Sequence, residues 1–259
     1  MISKFRQLHF DIKSEYNMAL SDSERIRISQ TIEMIPSSWK RLLDVGCGDG
    51  RVAKVLIDRG HEVIGIDWSV GALVHYPGKA IVCDITQPWP FKRNEFDGAI
   101  CTEVLEHLTV TEAKRVISQM KVVVKKGFLI TVPADENLEL RSVICNVCGK
   151  RYHIWGHVQS FKNFEDIDAL VGHKSTVRKR ILTGRRRGIV LLTRWQRWLG
   201  FLPYEKGAVC PYCGAQLARP VPPHVVKRLL NKVLAALQIA LSPLFGHPGG
   251  WFACRYDLE

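Results

Sequence analysis

The stretch from Leu42 to Gly50, Leu-Leu-Asp-Val-Gly-Cys-Gly-Asp-Gly, constrains the fold of this chain more than any other. Leu42, Leu43 and Val45 are apolar and predict the end of a buried strand. Three glycines at alternate positions then predict a tight turn in which a ligand can approach bare backbone. The segment that follows has a helical pattern. A strand, a glycine-rich turn and a helix in this order are typical of a nucleotide-cofactor site in a doubly wound α/β protein.

The spacing of the glycines indicates which cofactor binds. A dinucleotide site uses G-x-G-x-x-G, in which a helix N-terminus meets a pyrophosphate. This chain instead has D-x-G-x-G-x-G, with Asp44 ahead of the glycines. A carboxylate there would repel a phosphate and suits a cofactor that carries an ammonium and a sulfonium group. The pattern resembles the first motif of the class I S-adenosylmethionine (SAM) methyltransferases. The resemblance implies SAM as the cofactor and Gly46, Cys47 and Gly48 as contacts for it.

Acidic residues end the next two predicted strands. Asp67 follows the glycine turn by about 20 residues, where a carboxylate can accept hydrogen bonds from both ribose hydroxyls. Trp68 comes next and is a candidate for packing on the adenine. Asp84 ends the third predicted strand, and in the methyltransferases that this chain resembles this position binds the adenine amino group. Ile85 would then supply a neighbouring backbone N–H.

The fourth predicted strand leads into Glu-Val-Leu-Glu-His-Leu at positions 103–108. Because the carboxyl edge of such a sheet binds ligands, Glu103, Glu106 and His107 are predicted at the mouth of the cofactor site. The run resembles the fourth motif of a subgroup of small-molecule and lipid methyltransferases, which implies Glu103 as a cofactor contact. The same residues also resemble the metal-binding E-x-x-E-H of small-RNA 3′-terminal methyltransferases. His107 is the first candidate for a general base.

Further strands are predicted at 127–133, 175–182 and 251–257. Together with the alternation of strands and helices they predict a Rossmann-like, doubly wound α/β fold with a mainly parallel sheet. We expect a SAM-binding core over 1–140, a basic insertion over 141–248, and the last core strand over 249–259.

Two cysteine pairs predict a metal site in that insertion. Cys145 and Cys148, and Cys210 and Cys213, each form C-x-x-C followed by glycine, a pattern that turns two sulfurs towards one ion. Four thiolates predict a structural zinc, with no position left for water. Two redox-active pairs, or reduced core thiols, are the alternative. The remaining cysteines are predicted to be buried thiols: Cys47, Cys83, Cys101 and Cys254.

The first cysteine pair is followed by an unusual run of histidines and aromatic residues, Tyr152-His-Ile-Trp-Gly-His-Val-Gln-Ser-Phe161. It resembles a segment of bacterial methyltransferases that are often encoded with glycan-assembly enzymes. Two interpretations of His157 stay open: it reaches the active site as a base or substrate ligand, or it packs the zinc lobe. His153 is expected to be structural.

Charge is distributed unevenly along the chain. The formal net charge is +12, and the segment 141–232 holds 18 Lys and Arg against 4 Asp and Glu. This predicts an anionic partner: nucleic acid, anionic lipid or a phosphorylated glycan. Arginines between 178 and 197 are interleaved with Trp195 and Trp198, and residues 225–241 predict an amphipathic helix that Pro243 ends. Such a helix docks on its own domain or lies on a bilayer surface.

Neither a signal peptide nor a transmembrane helix is predicted, so we expect a cytoplasmic protein, with peripheral contact at the inner membrane face as a further option. The leading interpretation is a SAM-dependent methyltransferase that O-methylates a glycan or lipid-linked saccharide. The alternatives are an RNA ribose methyltransferase that uses Glu103, Glu106 and His107, and a non-catalytic SAM-binding scaffold with a zinc interaction lobe.

Overall fold

The computed structural model describes residues 19–186, 189–220, 223–245 and 248–258. Short 3-10 turns at Leu105–His107 and Leu138–Arg141 accompany the regular elements. The elements are, in chain order, α1 (Asp22–Ile32), β1 (Arg41–Val45), α2 (Arg51–Asp58), β2 (Glu62–Asp67), α3 (Val70–Leu73), β3 (Lys79–Val82), β4 (Phe96–Thr102), α4 (Val110–Val123), β5 (Val124–Pro133), β6 (Ser142–Ile144), β7 (Arg151–His153), α5 (Phe164–Val171), β8 (Val177–Arg186), α6 (Val190–Trp198), α7 (Val225–Phe245) and β9 (Pro248–Asp257).

The described residues divide into two compact units. The core unit takes the chain up to Glu136, the segment His157–Ile181, and the chain from Gly250 onward. The cysteine unit takes Asn137–Gly156 and Leu182–Gly249. The sequence-based boundaries had put all of 141–248 in the insertion, whereas the structure groups His157–Ile181 with the sheet.

Among the described residues, seven strands form one sheet in the order β3-β2-β1-β4-β5-β9-β8. The pairs β1–β2, β2–β3, β1–β4 and β4–β5 are parallel, and β9 runs antiparallel to β5. The predicted doubly wound, mainly parallel fold is therefore confirmed. The strand order reverses beside β1, the point at which such sheets bind ligands.

Apolar residues cover both faces of this sheet, as parallel strands require. On one face the strands pack against α4 and α5, through residues such as Val116, Met120 and Ile167. On the other face they pack against α1 and α2, through residues such as Ile32 and Leu56. Burial on both sides fixes the strand ends, and with them the loops at the carboxyl edge.

The cysteine unit has a much smaller core. Strands β6 and β7 form an antiparallel hairpin, and six buried residues cluster around it: Val143, Cys145, Tyr152, Ile154, Ala208 and Cys210. The prediction that Pro243 ends the second helix of this unit was wrong, since α7 continues to Phe245. A proline in the last turn removes one backbone hydrogen bond, which is too little to stop a helix about to end. No helix in the described ranges combines the length and apolar character needed to cross a bilayer.

Candidate functional site

The glycine turn closes the end of β1 against β2. The amides of Gly46 and Cys47 both donate to the carbonyl of Ile66, at 2.8 and 3.1 Å. Gly46 has φ +67°, and a Cβ there would lie 2.5 Å from Val104, so no other residue fits. Gly48 has φ +54°, yet a Cβ there would meet nothing within 4 Å. The turn is therefore tight on its protein side and open beside Gly48.

Asp67, the last residue of β2, is held against this turn. One carboxylate oxygen accepts from the amide of Gly48 at 2.9 Å, and the other accepts from the amide of Ser69 at 2.8 Å. Ser69 caps α3 through the amide of Ala72. These two amides fix the direction of the carboxylate, which is an acceptor-only group of the kind that binds paired hydroxyls.

Asp44 is the next-to-last residue of β1 and is 2% exposed. Burial raises the pKa of Asp44 to about 8, and the negative charge of Asp67 adds to this, while Arg27 opposes it. A buried carboxyl with a raised pKa is a group whose ionised form a nearby cation would favour. Asp44 therefore has the electrostatic character expected for a site that takes a positively charged cofactor.

Asp84 and Ile85 lie just beyond the end of β3. The Asp84 carboxylate accepts from the amide and the hydroxyl of Thr86, at 2.9 and 2.7 Å, which fixes its direction. The carbonyl of Ile85 accepts from the indole of Trp89 at 2.9 Å. Trp68 is partly buried directly after Asp67. The predicted cofactor contacts Asp67, Trp68, Asp84 and Ile85 thus belong to two adjacent strand ends.

Glu103 adopts φ +59°, a left-handed conformation that is uncommon for this residue type. Its carboxylate accepts from the indole N–H of Trp251 and from the hydroxyl of Thr131, the latter at 3.2 Å. Arg27 lies over the Trp251 ring at 5.7 Å. Burial raises the pKa of Glu103, against the opposing charge of Arg27. The structure therefore ties this predicted cofactor contact to α1 and β9.

Glu106, His107 and His157 come together beside this residue. The rings of His107 and His157 meet edge to face, with centroids 4.7 Å apart. The carboxylate of Glu106 is buried and has no hydrogen-bond partner among the described residues. Burial, and then the charge of Glu103, raise the pKa of Glu106 well above its usual value. One ligand atom from each of these three residues lies within 4.8 Å of the others.

The segment that begins at His157 is fastened to the turn Leu105–His107. The amide of Val158 donates to the carbonyl of Glu106 at 2.7 Å, and the side chain of Gln159 donates to the carbonyl of Leu105, also at 2.7 Å. The Nδ1 atom of His157 contacts the carboxylate of Glu136, and both side chains are about nine-tenths buried. The structure thus makes a carboxylate–imidazole pair at the carboxyl edge of the sheet.

Comparison with known proteins gives the same family. The family described as "Methyltransferase domain" matches residues 43–131, from β1 to β5. A "Ubiquinone biosynthesis O-methyltransferase" of Dechloromonas aromatica is 33% identical over 162 residues, which cover 55% of this chain and 67% of that protein. A "Probable 18S rRNA (guanine-N(7))-methyltransferase" of Dictyostelium discoideum is 33% identical over 106 residues, 39% of this chain and 35% of that protein.

A crystal structure of a SAM-dependent methyltransferase from Archaeoglobus fulgidus has the same fold, with a TM-score of 0.54 at 14% identity, and covers 92% of this chain and 95% of its own. The chain belongs to the class I SAM-dependent methyltransferases. The residues at the carboxyl edge of this methyltransferase fit the cofactor: Asp67 is held in a fixed direction by two amides, the buried carboxyl of Asp44 is a group whose ionised form a cation would favour, and Gly48 leaves open space.

The methyltransferase carries a second candidate site in its cysteine unit. Both knuckles repeat one backbone pattern. Gly149 donates to the carbonyl of Cys145 and Gly214 to that of Cys210, each at 2.9 Å, and both glycines have positive φ. The amides of Cys148 and Val147 lower the pKa of Cys145 to about 7, against an opposing effect of burial.

The four sulfurs of the methyltransferase converge on one point. The Sγ atoms of Cys145 and Cys213 are 3.6 Å apart, as are those of Cys148 and Cys210, and all four lie within 4.8 Å of one another. Tetrahedral zinc with four thiolates at about 2.3 Å requires sulfurs separated by about 3.8 Å. The donor type and the distances therefore fit zinc.

Sequence reasoning missed three residues of the methyltransferase site: Arg27, Glu136 and Trp251. Glu136 had a detectable signal, because it closely follows β5, and the carboxyl ends of parallel strands hold ligand groups. No sequence signal pointed to Arg27 or Trp251, because α1 and β9 come close to Glu103 only in the folded sheet. The other thiols were predicted well: Cys47, Cys101 and Cys254 are buried, and Cys83 is partly buried.

Proposed function

We propose that this methyltransferase transfers a methyl group from SAM to a hydroxyl oxygen of a glycan or lipid-linked saccharide. The observation that carries the proposal is the pairing of His157 with Glu136 beside His107. SAM supplies an already activated methyl group, so the protein needs to align the acceptor and to remove its proton. A neutral alcohol is a weak nucleophile, and an oriented imidazole is the group best suited to deprotonate it near neutral pH.

The contact with Glu136 gives His157 a defined role. If Nδ1–H donates to the carboxylate, Nε2 is the basic nitrogen of the ring. Glu136 then also stabilises the imidazolium that forms when Nε2 takes the acceptor proton, as an orienting carboxylate does in other imidazole bases. His107 packs against the same ring. In this scheme His157 is the base, and Glu136 and His107 are positioning residues.

The choice of acceptor rests on two supports. The Dechloromonas relative is named for O-methylation, which favours oxygen as the acceptor atom. The segment from Cys145 to Phe161 resembles methyltransferases that are encoded with glycan-assembly enzymes, which favours a saccharide. The excess of basic residues between 141 and 232 suits an acceptor that carries phosphate.

We further propose that Cys145, Cys148, Cys210 and Cys213 hold one structural zinc ion. All four tetrahedral positions are filled by protein, so the metal would support the cysteine unit and leave no position for a substrate. The small core of that unit makes such support necessary, because few apolar side chains are available to stabilise it.

A second candidate function is ribose methylation of RNA with a metal at the fourth motif. The observation in its favour is the convergence of Glu106, His107 and His157 within 4.8 Å. The carboxylate of Glu103, the third member of the sequence-based set, instead accepts from Trp251 and Thr131. A metal would therefore draw on His157 in place of Glu103. A SAM-binding scaffold without turnover is the third candidate.

One experiment separates the candidates. The protein is incubated with methyl-labelled SAM and a cell extract, which is then fractionated into lipid, saccharide, RNA and protein. We expect label in the lipid or saccharide fraction, with no loss on addition of a chelator selective for magnesium and manganese. His157→Gln should lower kcat at least 100-fold without changing SAM affinity, since a positioned base contributes about 10²–10⁴.

Glu136→Gln tests the positioning role, because it should reduce kcat less than His157→Gln and shift the acidic limb of the pH–rate profile. Gln87→Asn, a change at an exposed residue, is the control and should keep full activity. Label confined to RNA, with transfer abolished by the chelator, would favour the second candidate. SAM binding without any label transfer would favour the scaffold.

A further inference from the structure

The helices α6 and α7 of the cysteine unit pack through polar side chains. Gln238 of α7 accepts from the amide of Ile189 at 2.7 Å and donates to the hydroxyl of Thr193 at 2.9 Å. One turn further along α6, Gln196 donates to Asn231 of α7 at 2.9 Å. The seam between the two helices is therefore built from amide and hydroxyl groups, which specify one register of packing.

Because Asn231 and Gln238 occupy part of the inward stripe of α7, many of its large apolar residues are left exposed. The partly buried positions of this helix include Asn231, Leu234, Gln238 and Leu241, spaced three or four apart as a contact stripe requires. The apolar face that the sequence predicts consists of Val226, Leu230, Val233, Leu237 and Leu241, and all of it except Leu241 is exposed, with Val226 and Val233 at 58% and Leu230 at 49%. This is the reverse of a helix that docks its apolar face on its own domain.

Helix α6 also exposes aromatic residues. Trp195 is 58% exposed and Trp198 is 81% exposed, whereas most tryptophan side chains in folded proteins are largely buried. We call Trp195, Trp198, Val226, Leu230, Val233 and Leu237 the outer apolar set. Exposed apolar residues scattered singly are normal, but a concentration of this kind on one helix pair marks an interaction surface.

The charge on the two helices has a single sign. Helix α6 carries Arg194 and Arg197, helix α7 carries Lys227, Arg228 and Lys232, and neither helix contains Asp or Glu. Cationic side chains beside tryptophan and aliphatic residues are the composition of helices that lie in the surface of an anionic bilayer. The 21 residues of α7 would extend roughly 30 Å along such a surface.

We propose that α6 and α7 form a membrane-docking surface that binds anionic lipid, with the outer apolar set in the headgroup and acyl boundary and the basic residues at the phosphates. Two copies of this chain are a weaker explanation, because pairing these surfaces would bring cationic residues of one sign together. RNA is also weaker, because the exposed residues of α7 are mostly aliphatic, and single-stranded nucleic acid is bound by stacking on aromatic rings. The proposal does not depend on the acceptor or on turnover.

Co-sedimentation of the full-length protein with vesicles tests this surface. One set of vesicles is phosphatidylcholine alone, and the other contains phosphatidylglycerol in addition. We expect binding to the anionic vesicles, weakened but not abolished by high salt, because apolar contact survives screening. The emission of Trp198, isolated as the difference from Trp198→Phe, should shift to shorter wavelength on binding.

Two pairs of matched variants make the test specific. The first pair tests charge. The triple variant of α7, Lys227→Gln/Arg228→Gln/Lys232→Gln, should weaken vesicle binding at low salt at least tenfold. The control is a triple variant of the core unit with the same change in charge, Lys54→Gln/Lys114→Gln/Lys125→Gln, which should retain most of the vesicle binding. Leu230→Asn/Val233→Asn should remove the salt-resistant part, and Val122→Asn, at an exposed apolar site on α4, should not. SAM affinity and zinc content equal to wild type would show that the variants are folded.

Three results would overturn the proposal. The first is equal binding to neutral and anionic vesicles by all variants. The second is the absence of vesicle binding together with a concentration-dependent dimer that Leu230→Asn/Val233→Asn abolishes, which would assign the surface to a second copy. The third is the absence of vesicle binding together with tight retention of total RNA on filters. Every variant keeps the three arginines at 185–187. The side chains of Arg185 and Arg186, and the whole of Arg187, lie outside the described part of the structure.

Discussion

The core unit and the cysteine unit differ in what stabilises them. In the core unit, parallel strands are buried on both faces by helices, and large side chains such as Trp39 and Phe128 are almost fully inaccessible. In the cysteine unit the buried cluster is small, and two of its six members are cysteines of the candidate zinc site. The core unit is thus held by apolar burial, whereas the cysteine unit has a small core that the proposed zinc would cross-link.

The difference extends to the exposed residues. The core unit buries most apolar residues of its helices against the sheet, whereas α6 and α7 expose most of their large apolar residues. A region that exposes large apolar side chains, and for which we propose a structural metal, is suited to recognition more than to cofactor chemistry. This comparison predicts that perturbations of one unit will leave the other largely intact.

Loss of the metal should have the largest effect. Binding of structural zinc is worth on the order of 10–16 kcal/mol in small zinc domains, so Cys210→Ser should unfold the cysteine unit locally. We expect metal analysis to find one zinc per wild-type chain and none in the variant. Hydrogen exchange should rise across Asn137–Gly156 and 189–245 while the strands of the seven-stranded sheet keep their protection. Cys101→Ser, at a buried thiol of β4, is the control and should keep its zinc.

A second prediction concerns the buried carboxyl of Asp44, a predicted cofactor contact in the core unit. Because its folded pKa is raised from 3.8 to about 8, this group lowers stability progressively as the pH rises through that window. Asp44→Asn should therefore raise the apo-protein melting temperature at neutral pH, with linkage giving an upper limit of about 4 kcal/mol at pH 7. The same change should weaken SAM binding.

The contrast is Asp97, whose carboxylate accepts from the amides of Arg41 and Lys40. The hydrogen bond from Arg41 is the main cause that lowers its pKa, so this group stabilises the fold at neutral pH and loses that effect as the pH falls. Asp97→Asn should therefore lower the melting temperature. Thermal scans of both variants between pH 5 and pH 8 check the two signs. A melting temperature that falls in both variants would contradict the assignment for Asp44.

A third prediction tests the cofactor contact at Asp67. Removal of a charged hydrogen-bond partner costs about 1.5–3 kcal/mol, so Asp67→Ala should weaken SAM binding at least tenfold in calorimetry. Its zinc content should not change, because the two sites belong to different units. Asp58→Ala, which removes an exposed carboxylate of α2, should bind SAM as the wild type does. Equal affinity in both variants would exclude Asp67 as the ribose contact.

The sequence was informative wherever the chemistry is local. The glycine turn, the acidic strand ends and the two cysteine knuckles each depend on residues that are close in the chain or repeat one motif. The capping box at Ser21 likewise starts α1. These features were predictable because a tight turn or a helix start is determined mainly by its own residues.

Contacts between distant segments could not be predicted. The indole that donates to Glu103 comes from β9, and the nearby charge of Arg27 comes from α1. The pair formed by His157 and Glu136 depends on how the chain after β7 returns to the sheet. Element boundaries were also missed: β5 begins at Val124 and not at Gly127, because Val124 pairs with Phe96 of β4. For α7 the helical period was read correctly, but the choice of buried face depended on partners in α6.

The smallest expected effect concerns Trp198. It tests whether the exposed residues of α6 contribute to the stability of the cysteine unit. With 81% of its surface exposed, Trp198 contributes little packing, so Trp198→Ala should change the free energy of unfolding by less than about 0.5 kcal/mol. Trp155 is the comparison within the same unit, because its indole donates to Glu205 at 3.2 Å and Arg141 lies over its ring at 4.8 Å. Trp155→Ala should destabilise the unit clearly more. Denaturant titration followed by hydrogen exchange measures both. A large loss of stability in Trp198→Ala would mean that this side chain is packed in solution, and α6 would then lose its place in the proposed docking surface.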